Sequence, residues 1–179
     1  MEKNIEKSLE NIKNELYRLR GGTEKGSEGM NIVSFVARCP FGAEVVLNKV
    51  KSIIEIIDSI VLKGITFESI VWESILPEWF IQAFSPPMNT DQADQWLKHW
   101  ESLSTIERKN LEEVWTLENW LYWMEVSNRS WFWWDAIIIE EFDHIVLCVQ
   151  VDSWPFPWGS LKWLFKISGA SELSSEIEF

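Results

Sequence analysis

Cysteine, histidine, positive charge and unbroken apolar runs are all scarce in this chain, and each shortage removes a class of function. Two cysteines occur in 179 residues, Cys39 and Cys148, far apart, in apolar surroundings and without a CxxC pair. A disulfide scaffold or zinc ribbon is therefore excluded, and both read as reduced small hydrophobes in a cytoplasmic protein. The two histidines, His99 and His144, have no companion at ligand spacing, so no transition-metal site is expected. No cofactor is expected either: the glycines between Gly21 and Gly29 have neither Walker nor Rossmann spacing. There is no GxSxG and no Cys with a defensible His and acid partner, so no catalytic signature is present.

The longest greasy stretch, Ile137 to Val151, is interrupted by Glu140, Glu141, Asp143 and Gln150, which argues against a membrane span. The first residues are charged and lack an apolar h-region, unlike a signal or transit peptide. Basic residues number 16 against 28 acidic ones, a net charge of −12. Residues 1–29 balance, whereas 73–152 hold fifteen acids against Lys98, Arg108, Lys109 and Arg129. Such a field repels nucleic-acid phosphates and anionic lipid headgroups and attracts a basic protein or cationic molecule. It also serves to keep an apolar chain in solution.

What the chain has in abundance is tryptophan: thirteen, all from Trp72 to Trp163. That density implies an aromatic core, an aromatic-lined binding surface, or both.

Residues 1–22 read as an accessory amphipathic helix. Ile5, Leu9, Ile12, Leu16 and Leu19 form a narrow stripe, suited to docking on the body or on a second copy as a homodimer. Residues 23–29 are a linker, 30–170 a single α+β domain and 171–179 an acidic, frayed tail. Within the domain, 31–38 reads as a strand. Residues 44–62 read as a helix with Val46, Val50, Ile53, Ile57 and Ile60 on its apolar line and Asp58 off it, closed by Gly64. A second strand is expected over 65–72, with a helix start at Thr66 as the alternative.

A short helix follows Pro77. The helical middle then places Ala93, Trp96, Leu97, Trp100 and Leu103 on one face. Ser104 with Glu107 forms a capping box, Thr116 caps another helix with Trp115 and Trp120 as its staple, and Asn128-Arg129-Ser130 breaks it. Residues 131–140 and 145–153 form a β-hairpin, followed by the corner Trp154-Pro155-Phe156-Pro157-Trp158 and a last helix to Gly169. The expected architecture is a small sheet covered by helix 44–62, the helical middle and the last helix.

A symmetric hairpin pairs Glu140 with Ile145, Asp135 with Gln150 and Trp133 with Asp152. Trp134, Ala136, Ile138, Ile145, Leu147, Val149 and Val151 then share an apolar core face. Trp131, Trp133, Asp135, Gln150, Asp152 and Trp154 cluster at the open end, a candidate Trp-lined polar pocket. Glu107, Glu112, Glu113 and Glu118 are the candidate partner-binding acids. Two functions compete. One is a non-enzymatic acidic module binding a basic protein, as inhibitor or immunity-type proteins do. The other is a small-molecule-binding protein or enzyme using the hairpin pocket.

Overall fold

The structure is a computed structural model that describes residues 2–22, 31–110, 114–139, 141 and 143–175. It is an α+β fold, with seven helices and a four-stranded antiparallel sheet among the described residues. The strands are β1 (Asn31–Arg38), β2 (Trp131–Ile139), β3 (His144–Val151) and β4 (Glu172–Ser175), in the order β2-β3-β1-β4. The tail expected to fray instead contributes β4, because Leu173 is buried against the core and residues 172–175 pair with β1.

The long helix α2 (Ala43–Leu62) follows the apolar spacing of its sequence. It ends on Gly64, whose φ of 69° lies in the left-handed region that glycine adopts without a Cβ penalty. Val33, Phe35 and Ala37 of β1 and Ile145, Leu147, Val149 and Val151 of β3 are buried on one sheet face and join α2 in a single core. The last helix α7 (Gly159–Ser168) packs against α2 and completes it. The proline corner turns inward: the rings of Trp154, Phe156 and Trp158 lie 6.5, 6.2 and 5.1 Å from that of Phe35. Gly159 lets Trp115 pack closely, since a Cβ there would lie 3.1 Å from Trp115 Cζ2.

The hairpin forms, but its register differs from the symmetric one. Ile138 faces Ile145 and Asp135 faces Cys148. The ladder closes one residue earlier on each strand, at Ile139 and His144, which leaves Asp143 in the turn with a φ of 50°. Asp tolerates that conformation well, and its carbonyl is pinned by the Cys39 N–H at 2.7 Å. A bulge at Trp134 then shifts the pairing again, so that Trp133 faces Val149 and Trp131 faces Val151. Trp131 and Trp133, not Trp134, therefore occupy the core face.

Residues 65–72 form no strand. Thr66 precedes a single 3-10 turn at Phe67–Ser69, and another follows at Trp72–Ser74. The short helices are α3 (Glu78–Ile81), α4 (Thr90–Ser102), α5 (Thr105–Asn110) and α6 (Leu117–Met124). Contrary to expectation, α4 does not cover the sheet. None of its residues is buried, and Trp96 and Trp100 are 39 % and 37 % exposed. The chain enters and leaves this arm at a neck closed by the Ser85 N–H bond to the Trp115 carbonyl, 2.9 Å.

The N-terminal helix α1 (Glu2–Leu19) docks on its own body against α2 and β2, burying Ile12, Leu16 and Leu19. Its polar side chains cap the outer edge of β2: the Trp133 N–H donates to Glu15 and the Trp133 carbonyl accepts from Arg18 Nε at 3.2 Å. Beneath lies a fully buried ion cluster. Arg129 reaches Glu15 Oε2 and Asp58 Oδ1, each at 2.7 Å, with all three side chains at 0 % exposure. Asp58, off the apolar line of α2, thus faces the interior because Arg129 is there to meet it. No helix among the described residues is long and apolar enough to cross a membrane.

One guanidinium cannot neutralise two carboxylates. Burial pushes the Glu15 carboxyl well above its usual range, opposed by Arg129 and reinforced by Asp58, and burial raises Asp58 as well. The folded state therefore holds a proton that the unfolded chain releases once pH passes the ordinary Glu value. Stability contributed by that proton is full below the unfolded value and is lost as pH rises toward the folded one. Glu15→Gln, a permanently neutral isostere, is expected to gain thermal stability relative to the parent as pH rises above the ordinary Glu value. A constant difference between the two melting curves from acid to neutral pH would refute the retained proton. Arg129→Met leaves two buried acids without their cation and is expected to cost about 3–5 kcal/mol in chemical denaturation.

Candidate functional site

A cavity of about 680 Å³ lies where the two 3-10 turns meet the end of α3, the neck and α6. Local structure explains each wall. Phe67 and Trp72 meet edge to face at 4.7 Å, and the Trp72 indole donates to the Phe67 carbonyl at 3.2 Å, so the first wall is a self-braced aromatic turn. Phe84 holds the opposite side, its ring 5.0 Å from Phe80 and 6.2 Å from Trp120 in the core. Pro86 and Pro87 form the lip. The third wall is α6, started by Thr116, whose hydroxyl accepts from the Asn119 N–H at 3.2 Å, and presenting Leu121 and Tyr122.

On this apolar floor stand four carboxylates, Glu68, Glu73, Glu118 and Glu125, and among the described residues no Lys or Arg lines the cleft. Burial, with the charge of Glu68 adding to it, holds the Glu125 carboxyl above its ordinary value. Asn128 Nδ2 is 3.4 Å from Glu125 Oε2 and also donates to the Tyr122 carbonyl, fixing the end of α6. The cleft can exclude water from an apolar group and offer it a negative rim. Two nucleophile candidates lie elsewhere: Cys148 is in β3, 3.5 Å from Ser34 Oγ, and Cys39 is buried with its thiol pushed up to about 11 by burial and by Asp143.

The hairpin residues expected to form a pocket are dispersed. Trp131 and Trp133 are buried in the core, and the Trp131 indole donates to Ser160 Oγ at 3.0 Å. Gln150 is buried and accepts from Arg18 at 3.3 Å. Asp135 is exposed and bonds the Ala136 N–H at 2.8 Å. Asp152 is exposed beside Lys7 at 2.7 Å, and half-buried Trp154 packs on Phe35 and Phe156. The bulge that puts Trp133 inward is what disperses them.

Of the expected partner-binding acids, Glu118 lines the cleft. Glu107 lies on the arm, where its carboxylate accepts from the Ser104 N–H at 2.8 Å and is held below its ordinary value by Ser104. Glu112 and Glu113 lie outside the described residues. Glu68, Glu73 and Glu125 were not singled out from sequence. The signal was weak: each is one acid in a mixed segment, and only the fold brings them to one rim. Comparison with protein-family models, curated proteins and solved structures gives no match for this chain.

The like-charge contribution of Glu68 is testable directly. Glu68→Gln is expected to lower the Glu125 pKa part of the way toward the ordinary Glu value, burial keeping the remainder. Carbon-detected NMR titration of the Glu125 carboxyl reads the shift, and an unchanged midpoint would show that the two acids do not sense each other.

Proposed function

We propose that this protein is a non-enzymatic acidic binding module that takes a basic protein partner, in an inhibitor- or immunity-type role, through the cleft between the 3-10 turns and α6. The observation that carries this reading is four carboxylates over an aromatic floor with no cation among the described lining residues. Apolar walls of low dielectric concentrate the field of those acids, which speeds and orients the approach of a positive partner. The cleft's described lining holds neither His nor Cys, and its Thr116 hydroxyl is committed to capping α6. A cytoplasmic setting suits the two free thiols. The size of the cleft suits a few apolar anchors from a partner and leaves affinity to their number and fit.

Poly-L-lysine, with poly-L-glutamate as control, separates a built cleft from a diffuse field. The protein is expected to bind poly-L-lysine at low salt and to weaken steeply as salt rises. Reversing two cleft charges, Glu73→Lys with Glu118→Lys, is expected to weaken binding about tenfold, the loss of roughly 1.4 kcal/mol. The same reversal on the hairpin, Asp135→Lys with Glu141→Lys, removes equal charge from residues that contribute nothing to the cleft and is expected to cost much less. Equal losses from the two pairs would mean that net charge alone drives binding, and the cleft would not be the site.

A further inference from the structure

The cleft does not end at its own wall. A second apolar cavity of about 310 Å³ adjoins it, lined by Ile5 and Leu9 of α1, Val61 of α2, Ile65 and Val126. Both cavities are lined by Phe67, Glu68 and Glu125, so these three residues form the saddle between them. The groove thus runs from an aromatic-floored lobe rimmed by Glu73 and Glu118, over a doubly acidic saddle, to a lobe walled by apolar side chains. Among the described residues no Lys or Arg lines either lobe.

We infer that the segment of the basic partner that docks here is a peptide carrying a Lys or Arg flanked on both sides by apolar side chains, with the cation seated at the Glu68–Glu125 saddle and one apolar anchor in each lobe. This rests on the reading of the protein as a binder of basic partners and specifies what that partner must present.

Three features of the groove support the match. First, an apolar anchor without the cation would leave Glu68 and Glu125 facing each other in a site from which it had displaced water, an uncompensated cost. Second, a cation without anchors would leave both apolar lobes wet. Third, Glu68 and Glu125 line the same saddle, where burial first and the charge of Glu68 second act against the Glu125 carboxylate, and a cation between the two acids offsets both as it forms its own contacts. Spacing therefore matters as well as composition: the same residues in another order cannot fill both lobes and the saddle together. The second lobe also makes α1 part of the site, through Ile5 and Leu9.

The test uses the full chain and two synthetic twelve-residue peptides of identical composition, each with one Lys, two Leu and otherwise Gly, Ser and Gln. In one the Lys lies between the two leucines; in its isomer the leucines are adjacent and the Lys is at the far end. Isothermal titration is expected to give at least tenfold tighter binding for the Lys-centred peptide. The double variant Glu68→Gln with Glu125→Gln is expected to abolish that preference while leaving the melting temperature close to that of the parent. Leu9→Ser, at a residue that lines the second lobe and not the first, is expected to reduce the preference without removing binding.

Equal affinity for the two isomers would overturn the inference, as would a preference that survives the double variant. So would absence of binding by both peptides. In each of these cases, salt-sensitive binding of poly-L-lysine that is lost on reversal of Glu73 and Glu118 would leave the broader reading standing. Loss of that binding's dependence on the cleft would sink both.

Discussion

Arg129 meets Glu15 on one side and Asp58 on the other, and the rest of the molecule is arranged around that contact. The three groups come from α1, α2 and the segment that opens β2, so none can leave without stranding the others in an apolar interior. The guanidinium also lies 5.0 Å from the Trp131 ring and 5.3 Å from that of Phe132, and its Nε donates to the Trp131 carbonyl at 3.2 Å. The cation thus meets two carboxylates, a carbonyl and two ring faces, which offsets much of the cost of burying it. Burial and the second carboxylate favour a proton on the Glu15 carboxyl beyond its ordinary range. The cluster fixes α1 as a lid along the outer edge of β2, where exposed N–H and carbonyl groups would otherwise invite another strand. Since Ile5 and Leu9 of that helix form a wall of the second lobe, the shape of the groove depends on the cluster too.

Tryptophan serves two purposes here, and the indole N–H separates them. Trp120 and Trp131 are fully buried, and both donate to the same residue: Trp120 to the Ser160 carbonyl and Trp131 to the Ser160 hydroxyl, each at 3.0 Å. Ser160 therefore ties α6 and β2 to the start of α7, and these two rings are buried with their N–H groups satisfied, whereas the buried Trp163 indole nitrogen finds no hydrogen-bond partner. Trp72 satisfies its indole locally and turns its ring toward the cleft. Trp96 and Trp100 remain partly exposed on α4, none of whose residues is buried.

Elements with local signals were legible in the sequence. The apolar spacing of α2, the Ser104–Glu107 box, the Thr116 cap, the glycine stops at Gly64 and Gly169 and the break at Asn128–Ser130 all specify structure within one or two turns of chain. The hairpin was legible as a hairpin, but its pairing was not. Trp131-Phe132-Trp133-Trp134 is four aromatics in a row, so no alternation marks which ring is the extra one at the bulge. Nor does composition decide whether Asp143 or His144 takes the positive φ. Strand β4 was hidden because Glu-Leu-Ser-Ser offers one apolar residue, and its pairing is supplied by β1 from the far end of the chain. Asp58 misled for a related reason: an acid off an apolar line normally faces water, and only Arg129, itself the lone cation between Lys109 and Lys162, reverses that. The cleft was the least legible, since its rim assembles single acids from segments that share no pattern. Glu118 was found by the charge of its region and Glu68 by nothing.

The acids of this protein divide by what already satisfies them, and that division singles out the groove. Glu107 accepts from the Ser104 N–H, its carboxyl is held low, and its charge is spent on starting α5. Glu15 and Asp58 are spent on Arg129. Asp152 has Lys7 beside it, and Asp135 has the Ala136 N–H. Glu125, like Glu15, has burial and a neighbouring acid acting against its charge, but no Lys or Arg lines its groove among the described residues, and the Asn128 amide at 3.4 Å is a long contact. A carboxylate destabilised in the free protein has more to gain from an incoming cation than one already paired, because binding removes a repulsion as well as adding an attraction. Charge spread over the surface would act on a cation at a distance without fixing where it rests. The paired acids at the saddle, set between the two lobes, are where the proposed partner would gain most on the same negative face.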